Sequence, residues 1–564
     1  MKRILMAGVT LGAMVFGPAA VADATADRAA RDLIERPQVC GRVESAMSGT
    51  PVADMVMVDG FGTGGFAVDT ANPEAQAWFN HGVRLRWAFE HKESVRAFRK
   101  ARLLDPTCAM CAWGEAWALG PNLNGGGNDD ESQAAALKTA REARRMARRA
   151  TPVQHQMMDA LIQRYSGRED SRSRRFAQAM DRIARRNPQD VAVAAITADA
   201  WMLKADRWWD DEGKAADPGI TRAMEILEQT LAHAPNDPGA IHLYIHLTEW
   251  SDDPHKAIPY GERLAALAPG ASHLVHMPSH TFFRVGRYRD AMMSNVNAVA
   301  LDQRYDELAR PPGGVKAMPL HGHNIHFGMG GALMSGGAEQ GLMLADRFLT
   351  VLGDDARMNS PWPQAMANNA YALFGRYGTP EQIAALAEPP EGRRVQRAGW
   401  RYARGEAAAR VGDATAVRAE AAAIAALREG MPTEGSEAFP NKFMEVFQRV
   451  LEGRAAMIDG DWDAAVEAYG AAARVQGEGE EGGDPPVIWF PTRRSLAAAL
   501  LLKGDAAGAK ARINELLEDW PNDPYSYFVL AQAEAALGDQ AAATEARRRA
   551  QIEWIGGAMD LKLA

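Results

Sequence analysis

Cysteine is scarce in this chain, with three in 564 residues, which excludes a scaffold held together by many disulfides. Cys40 stands alone, while Cys108 and Cys111 form a C-x-x-C. In an exported protein these thiols allow one structural disulfide, within that pair or from one of its members to Cys40, with one thiol left over. Thioredoxin-like redox catalysis would need a preceding strand in a βαβ unit, and none precedes the pair. Long hydrophobic runs are also missing: past the first residues, no segment has eighteen uninterrupted apolar residues, so nothing there is able to span a bilayer. Excess positive charge is missing as well. The formal net charge is −9, which disfavours nonspecific attraction to nucleic acid or an anionic membrane. The local exception, Arg141, Arg144, Arg145, Arg148 and Arg149, reads as one solvated helix face.

Hydrophobic residues make up 47% and charged residues 24%, the balance of an ordinary folded protein, and the length suits several domains or one long solenoid. The N-terminus reads as a secretory signal: Lys2 and Arg3, an apolar run from Ile4 to Phe16, then Ala20-Val21-Ala22 before Asp23. Cleavage after Ala22 would place the mature chain in the periplasm or outside the cell.

Histidine is what the chain concentrates. Nine of its thirteen histidines fall between residues 242 and 326. His242 and His246 are at i and i+4, with Glu249 at i+7. His273, His276 and His280 are at i, i+3 and i+7, and His323 and His326 at i and i+3. On a helix such spacing puts side chains on one face, about 5–6 Å apart between Cβ atoms. Imidazole is the commonest metal-binding side chain, and seven of them plus a carboxylate exceed the needs of one ion. The pattern points to a metal site, with room for two ions.

The surrounding chain is repetitive. In a 34-residue unit starting at Ala75, Trp78, Gly82, Phe98, Ala101 and Pro106 occupy positions 4, 8, 24, 27 and 32. Small residues at positions 8 and 20 let two antiparallel helices approach, and proline ends the second. Further units phase from Pro238, Ser272, Gly322, Val446, Phe490 and Pro524. These residues resemble the tetratricopeptide repeat family over most of 75–550, which implies an all-α, right-handed superhelical solenoid. The expected divisions are a signal peptide at 1–22, an N-terminal extension at 23–74, and repeat regions at 75–237, 238–350 (His-rich) and 351–564. In the extension, Val52 to Val58 is strand-like and Gly60 to Gly65 reads as a flexible loop. That loop fits G-x-G-x-x-G but lacks the βαβ context of a dinucleotide site. An insertion from Asp306 to His321 and glycine-rich or acidic loops at Gly125–Gly127 and Gly477–Pro486 interrupt the train.

The chain also resembles exported bacterial tetratricopeptide proteins that carry stretches similar to His242-Leu-Tyr-Ile-His246, His273-Leu-Val-His276-Met-Pro-Ser-His280 and His323-Asn-Ile-His326. In the family, positions 2, 5, 9 and 12 of the first helix line the concave groove. The resemblance therefore implies that His242, His246, Glu249, His273, His276, His280, His323 and His326 all face it. Pro278, between two of them, is expected to kink or delay its helix.

The ligand types narrow the metal. A zinc hydrolase of H-E-x-x-H type would carry Glu where Leu243 stands, and di-iron sites need several carboxylates where only Glu249 is in place. An imidazole-rich site suits copper first and zinc second, with iron third. A copper-dependent oxidase or oxygenase acting on an organic or peptidic substrate follows as the leading expectation, with Glu249 as ligand or proton acceptor. The alternatives are a zinc hydrolase, a scaffold whose groove binds a protein or peptide, and a metal-handling protein. His321 and Asn324 are expected to orient ligating imidazoles, and Met277 adjoins them as a soft copper ligand.

Overall fold

The computed structural model describes residues 49–353, 355–479, 486 and 488–564. The expected signal peptide, Cys40 and most of the acidic Gly477–Pro486 stretch lie outside these residues. Among the described residues every regular element is a helix, apart from an isolated bridge between Trp209 and Ala215. Short polar residues start several of the helices. Asn72 caps Pro73–Trp87 by accepting from the Glu74 and Ala75 amides, Thr151 forms a capping box with Gln154 ahead of Pro152–Tyr165, and Asp237 caps Pro238–Thr248. Proline at the first turn of each costs no hydrogen bond, because that amide has no intrahelical partner.

Consecutive helices pack as antiparallel pairs, and small residues set how closely they approach. A Cβ on Gly82 would lie 2.8 Å from Phe98 Cε1, and one on Gly453 would lie 2.5 Å from Tyr469 Cε1. The described residues form an all-helical solenoid of tetratricopeptide type. Buried apolar side chains form two continuous cores, one drawn from residues between Phe61 and Met318, the other from residues between Phe282 and Ala564. The histidine-bearing helices lie where the two cores meet.

Three helix pairs carry the histidines. Pro238–Thr248 is followed by Ile258–Leu267. His321–Ser335 turns at Gly336, whose φ of +77° is left-handed, into Ala338–Leu352. Between them the helix ahead of Tyr288–Ala309 is broken into Ser272–His276 and Pro278–Arg284. Met277 at the break keeps helical angles, φ −50° and ψ −38°, so Pro278 interrupts the hydrogen bonding without turning the chain away.

The N-terminal extension differs from expectation. Val52 to Val58 forms no strand: Val52–Asp54 is a single 3-10 turn. Just ahead of it the chain is tied to a helix end, where the Thr50 amide donates to Arg310 O at 2.9 Å. The Gly60–Gly65 loop is packed against the protein. The Gly270 amide donates to Gly60 O at 2.7 Å, and a Cβ on Gly60 (φ +89°) would lie 2.7 Å from the Gly270 nitrogen. Cys108 and Cys111 are joined to each other, which settles the pairing left open by the sequence.

Candidate metal centre

Six of the seven expected histidines gather into two sets of three: His242, His246 and His273, and His276, His280 and His323. Within each set the available nitrogens lie within 4.8 Å of one another. Metal–imidazole bonds of about 2.0–2.1 Å need nitrogens somewhat closer than that limit. The middle helix is shared out. His273 joins the preceding repeat, while His276 and His280, on either side of Pro278, join the following one. The two sets adjoin, with ring centroids 5.2 Å apart for His273 and His276 and 5.4 Å for His246 and His280.

Hydrogen bonds at the far side of the rings fix their tautomers. His242 Nδ1 meets the Trp87 carbonyl, which only accepts, so Nδ1 carries the hydrogen and Nε2 is a lone pair. His280 Nδ1 lies 2.9 Å from Glu249 Oε2 and donates to it. His276 Nδ1 lies 2.6 Å from Asn295 Oδ1, and the amide of Asn295 is oriented by its own donation to Ala291 O at 2.7 Å. His276 and His280 therefore both direct lone pairs inward, and their Nε2 atoms lie 2.9 Å apart. Two facing lone pairs at that separation repel unless a cation lies between or beside them. In the first set, neither nitrogen of His273 nor Nε2 of His242 has a hydrogen-bond partner, although the residues are 2% and 0% exposed. Buried nitrogens of this kind are costly unless something binds them.

Burial also keeps His242 and His273 neutral. It holds His242 down to about 3, against a smaller upward pull from the Trp87 carbonyl, with His280 adding to the depression. His273 is held well below the ordinary imidazole range by burial and then by its histidine neighbours. Neutral imidazole is the ligating form.

Each set rests on one phenylalanine. Phe89 stacks on His246 and His273, with centroids 5.4 and 5.2 Å away, and lies 4.3 Å from His242. Phe327 contacts His276, His280 and His323 at 5.0, 4.4 and 5.0 Å. Phe89 reaches its place through a left-handed backbone, φ +56°, a strained conformation for a residue with a large side chain. Sequence spacing gives no sign of that turn, whereas Phe327 at i+4 from His323 was open to the same helical reasoning as the histidines.

Glu249 and His326 stand outside the two sets. Glu249 is 3% exposed and positions His280, with Arg284 Nε 3.7 Å from its other oxygen. His326 Nε2 accepts from Trp489 Nε1 at 3.0 Å and lies 2.7 Å from Asn369 Nδ2, tying the helix to the C-terminal repeats. His321 and Asn324 both bond Asp302 Oδ2, at 2.9 and 3.1 Å. Met277 is fully buried at the helix break.

No family model and no curated protein matches the chain. Among solved structures, it is similar to a human IFIT1 dimer with m7Gppp-AAAA, at 12% identity over 78% of this chain and 89% of that one, with a TM-score of 0.32. It is similar to yeast Tom70 at 13% identity, over 84% and 90% of the two chains, with a TM-score of 0.27. The Naa15/Naa10 complex bound to HypK-THB gives 13%, 85%, 89% and 0.23. Likeness at this level says nothing of the histidines.

Proposed function

We propose that the chain is an exported metalloenzyme holding two copper ions, one on His242, His246 and His273 and one on His276, His280 and His323, and that it oxidises an organic substrate with dioxygen. The observation that carries this reading is the pair of adjoining three-imidazole sets with their outer nitrogens tied to a carbonyl, an amide and a carboxylate. Outer partners of this sort are what orient metal-ligating histidines. Six imidazoles without a carboxylate in either set suit copper better than a di-iron centre. A copper pair would supply two-electron redox chemistry: two substrate molecules each give up two electrons and two protons, and one dioxygen becomes two waters. The protein's own part is to hold the six rings, to keep His242 and His273 neutral by burial, and to cover the two sets with Phe89 and Phe327.

Burial of His242, His273, His276 and His280 disfavours a peptide-binding groove built on these side chains. Copper, zinc and iron content of protein purified without an affinity tag, together with oxygen consumption on o-diphenols, tests the reading. Two copper equivalents with oxygen uptake is the expected result; zinc with hydrolysis of an ester, or no metal at all, contradicts it.

A further inference from the structure

Next to the first histidine set is a second buried polar cluster that the proposed metal centre does not use. Arg86 precedes Trp87, whose carbonyl holds His242, and it is 2% exposed; Arg164, on Pro152–Tyr165, is 3% exposed. Both guanidinium groups donate to the same acceptor, the Pro121 carbonyl, from Arg86 Nη2 at 2.9 Å and Arg164 Nη2 at 3.1 Å. Arg86 lies over the Trp117 ring, 5.2 Å from its centroid, and Arg164 over Phe176 at 4.6 Å.

The hydrogen bonding here is incomplete mainly in one sense: nearly all the missing partners are acceptors. Nε and Nη1 of Arg164 and Nε1 of Trp117 are buried without a partner. His91 Nδ1 lies 3.0 Å from Arg86 Nη1, a group that only donates, so Nδ1 accepts and Nε2 carries the hydrogen. That Nε2 is likewise buried without a partner. The one unpartnered acceptor is Asp199 Oδ2, 4.0 Å from Arg86 Nη2. Charge is unbalanced in the same direction. Two guanidiniums face a single carboxylate, while burial and then Arg86 hold His91 in its neutral form and burial keeps Tyr165 protonated. An isolated buried cation is among the most costly features a fold can contain. One monoanion with two acceptor oxygens would answer the charge and the donors together, and guanidinium groups match a carboxylate in shape.

We infer that Arg86 and Arg164 form a binding site for the carboxylate of an organic acid or of a peptide C-terminus. Where the copper reading also holds, this site is the handle by which the substrate is held beside the first metal, so the substrates are carboxylate-bearing molecules. Binding itself does not depend on that reading.

Calorimetric titration of the purified protein with benzoate, with a tripeptide and with its C-terminal amide tests the site, before and after metal removal by chelation. Benzoate or the tripeptide is expected to bind in both states and the amide not to bind; benzoate identifies a small acid as the source, the tripeptide alone a peptide terminus. Arg164→Gln is expected to weaken binding at least tenfold. Asp199→Asn, which deletes the competing carboxylate at constant shape, is expected to tighten it several-fold and keeps the test decisive should Arg164→Gln fail to fold. Absence of binding, binding lost with the metal, or affinity unchanged in a folded Arg164→Gln or in Asp199→Asn overturns the inference.

Discussion

An imidazole buried with one nitrogen committed as a donor has one chemical use left for the other, and three histidines here are committed by three different partners: Trp87 O, Asn295 Oδ1 and Glu249 Oε2. Replacing Glu249 by Gln keeps the shape but removes the charge that favours the His280 tautomer. Metal affinity of the second set is expected to fall about 10–100-fold, measured by competition with a chelator, while the first set is unaffected. Glu90, which precedes the helix His91–Leu104, gives a pH-dependent prediction of another kind. Burial, then Asp302 and Glu93, raise its carboxyl from 4.5 to about 8. Between those values the folded chain retains a proton that the unfolded chain has released, so the contribution of Glu90 to stability is full below pH 4.5 and is lost as the pH rises through about 8. Glu90→Gln removes that loss. It is expected to gain on the order of 1–3 kcal/mol at pH 9 and little at pH 5, by denaturant unfolding. Equal effects at both values would show that Glu90 is not held protonated.

At the scale of helices, the spacing of His242 and His246, and of His276 and His280, was readable because each pair sits on one continuous face. The regrouping was not readable. His273 leaves its own helix neighbours for the preceding repeat, and His323 joins the middle one, because the approach of packed helices decides which rings meet. The left-handed Phe89 and the distant Trp489, 163 residues from its partner His326, depend on packing that no local pattern records. Glu249 was visible as a nearby carboxylate, but its task became clear only once His280 was seen beside it. Gly330 shows how tight this packing is: a Cβ there would lie 2.2 Å from Trp489 Cδ2. Gly330→Ala is expected to displace Trp489 from His326 and to cost about 1–3 kcal/mol. Thermal unfolding and a shift in tryptophan emission check this, and an unchanged melting temperature would mean that the indole is not seated there.

Over the whole molecule, the C-terminal repeats return to the central ones. Tyr288 Oη donates to Pro521 O at 2.9 Å, Asn522 Nδ2 to Val285 O at 3.1 Å, and the Ile555 amide to Ser335 O at 2.8 Å. These contacts join the C-terminal repeats to the central ones, and the histidines are where the two apolar cores meet. No helix among the described residues is long and apolar enough to cross a membrane. The arrangement of six rings in two sets has a direct consequence for composition, since each set should fail separately. Copper per chain, measured by elemental analysis on folded tag-free protein, is expected to be two for the unmodified protein, one for His242→Ala, one for His280→Ala and none for the double variant. Full metal content in the folded double variant, or a metal-free unmodified protein, would contradict a dinuclear centre built from these histidines.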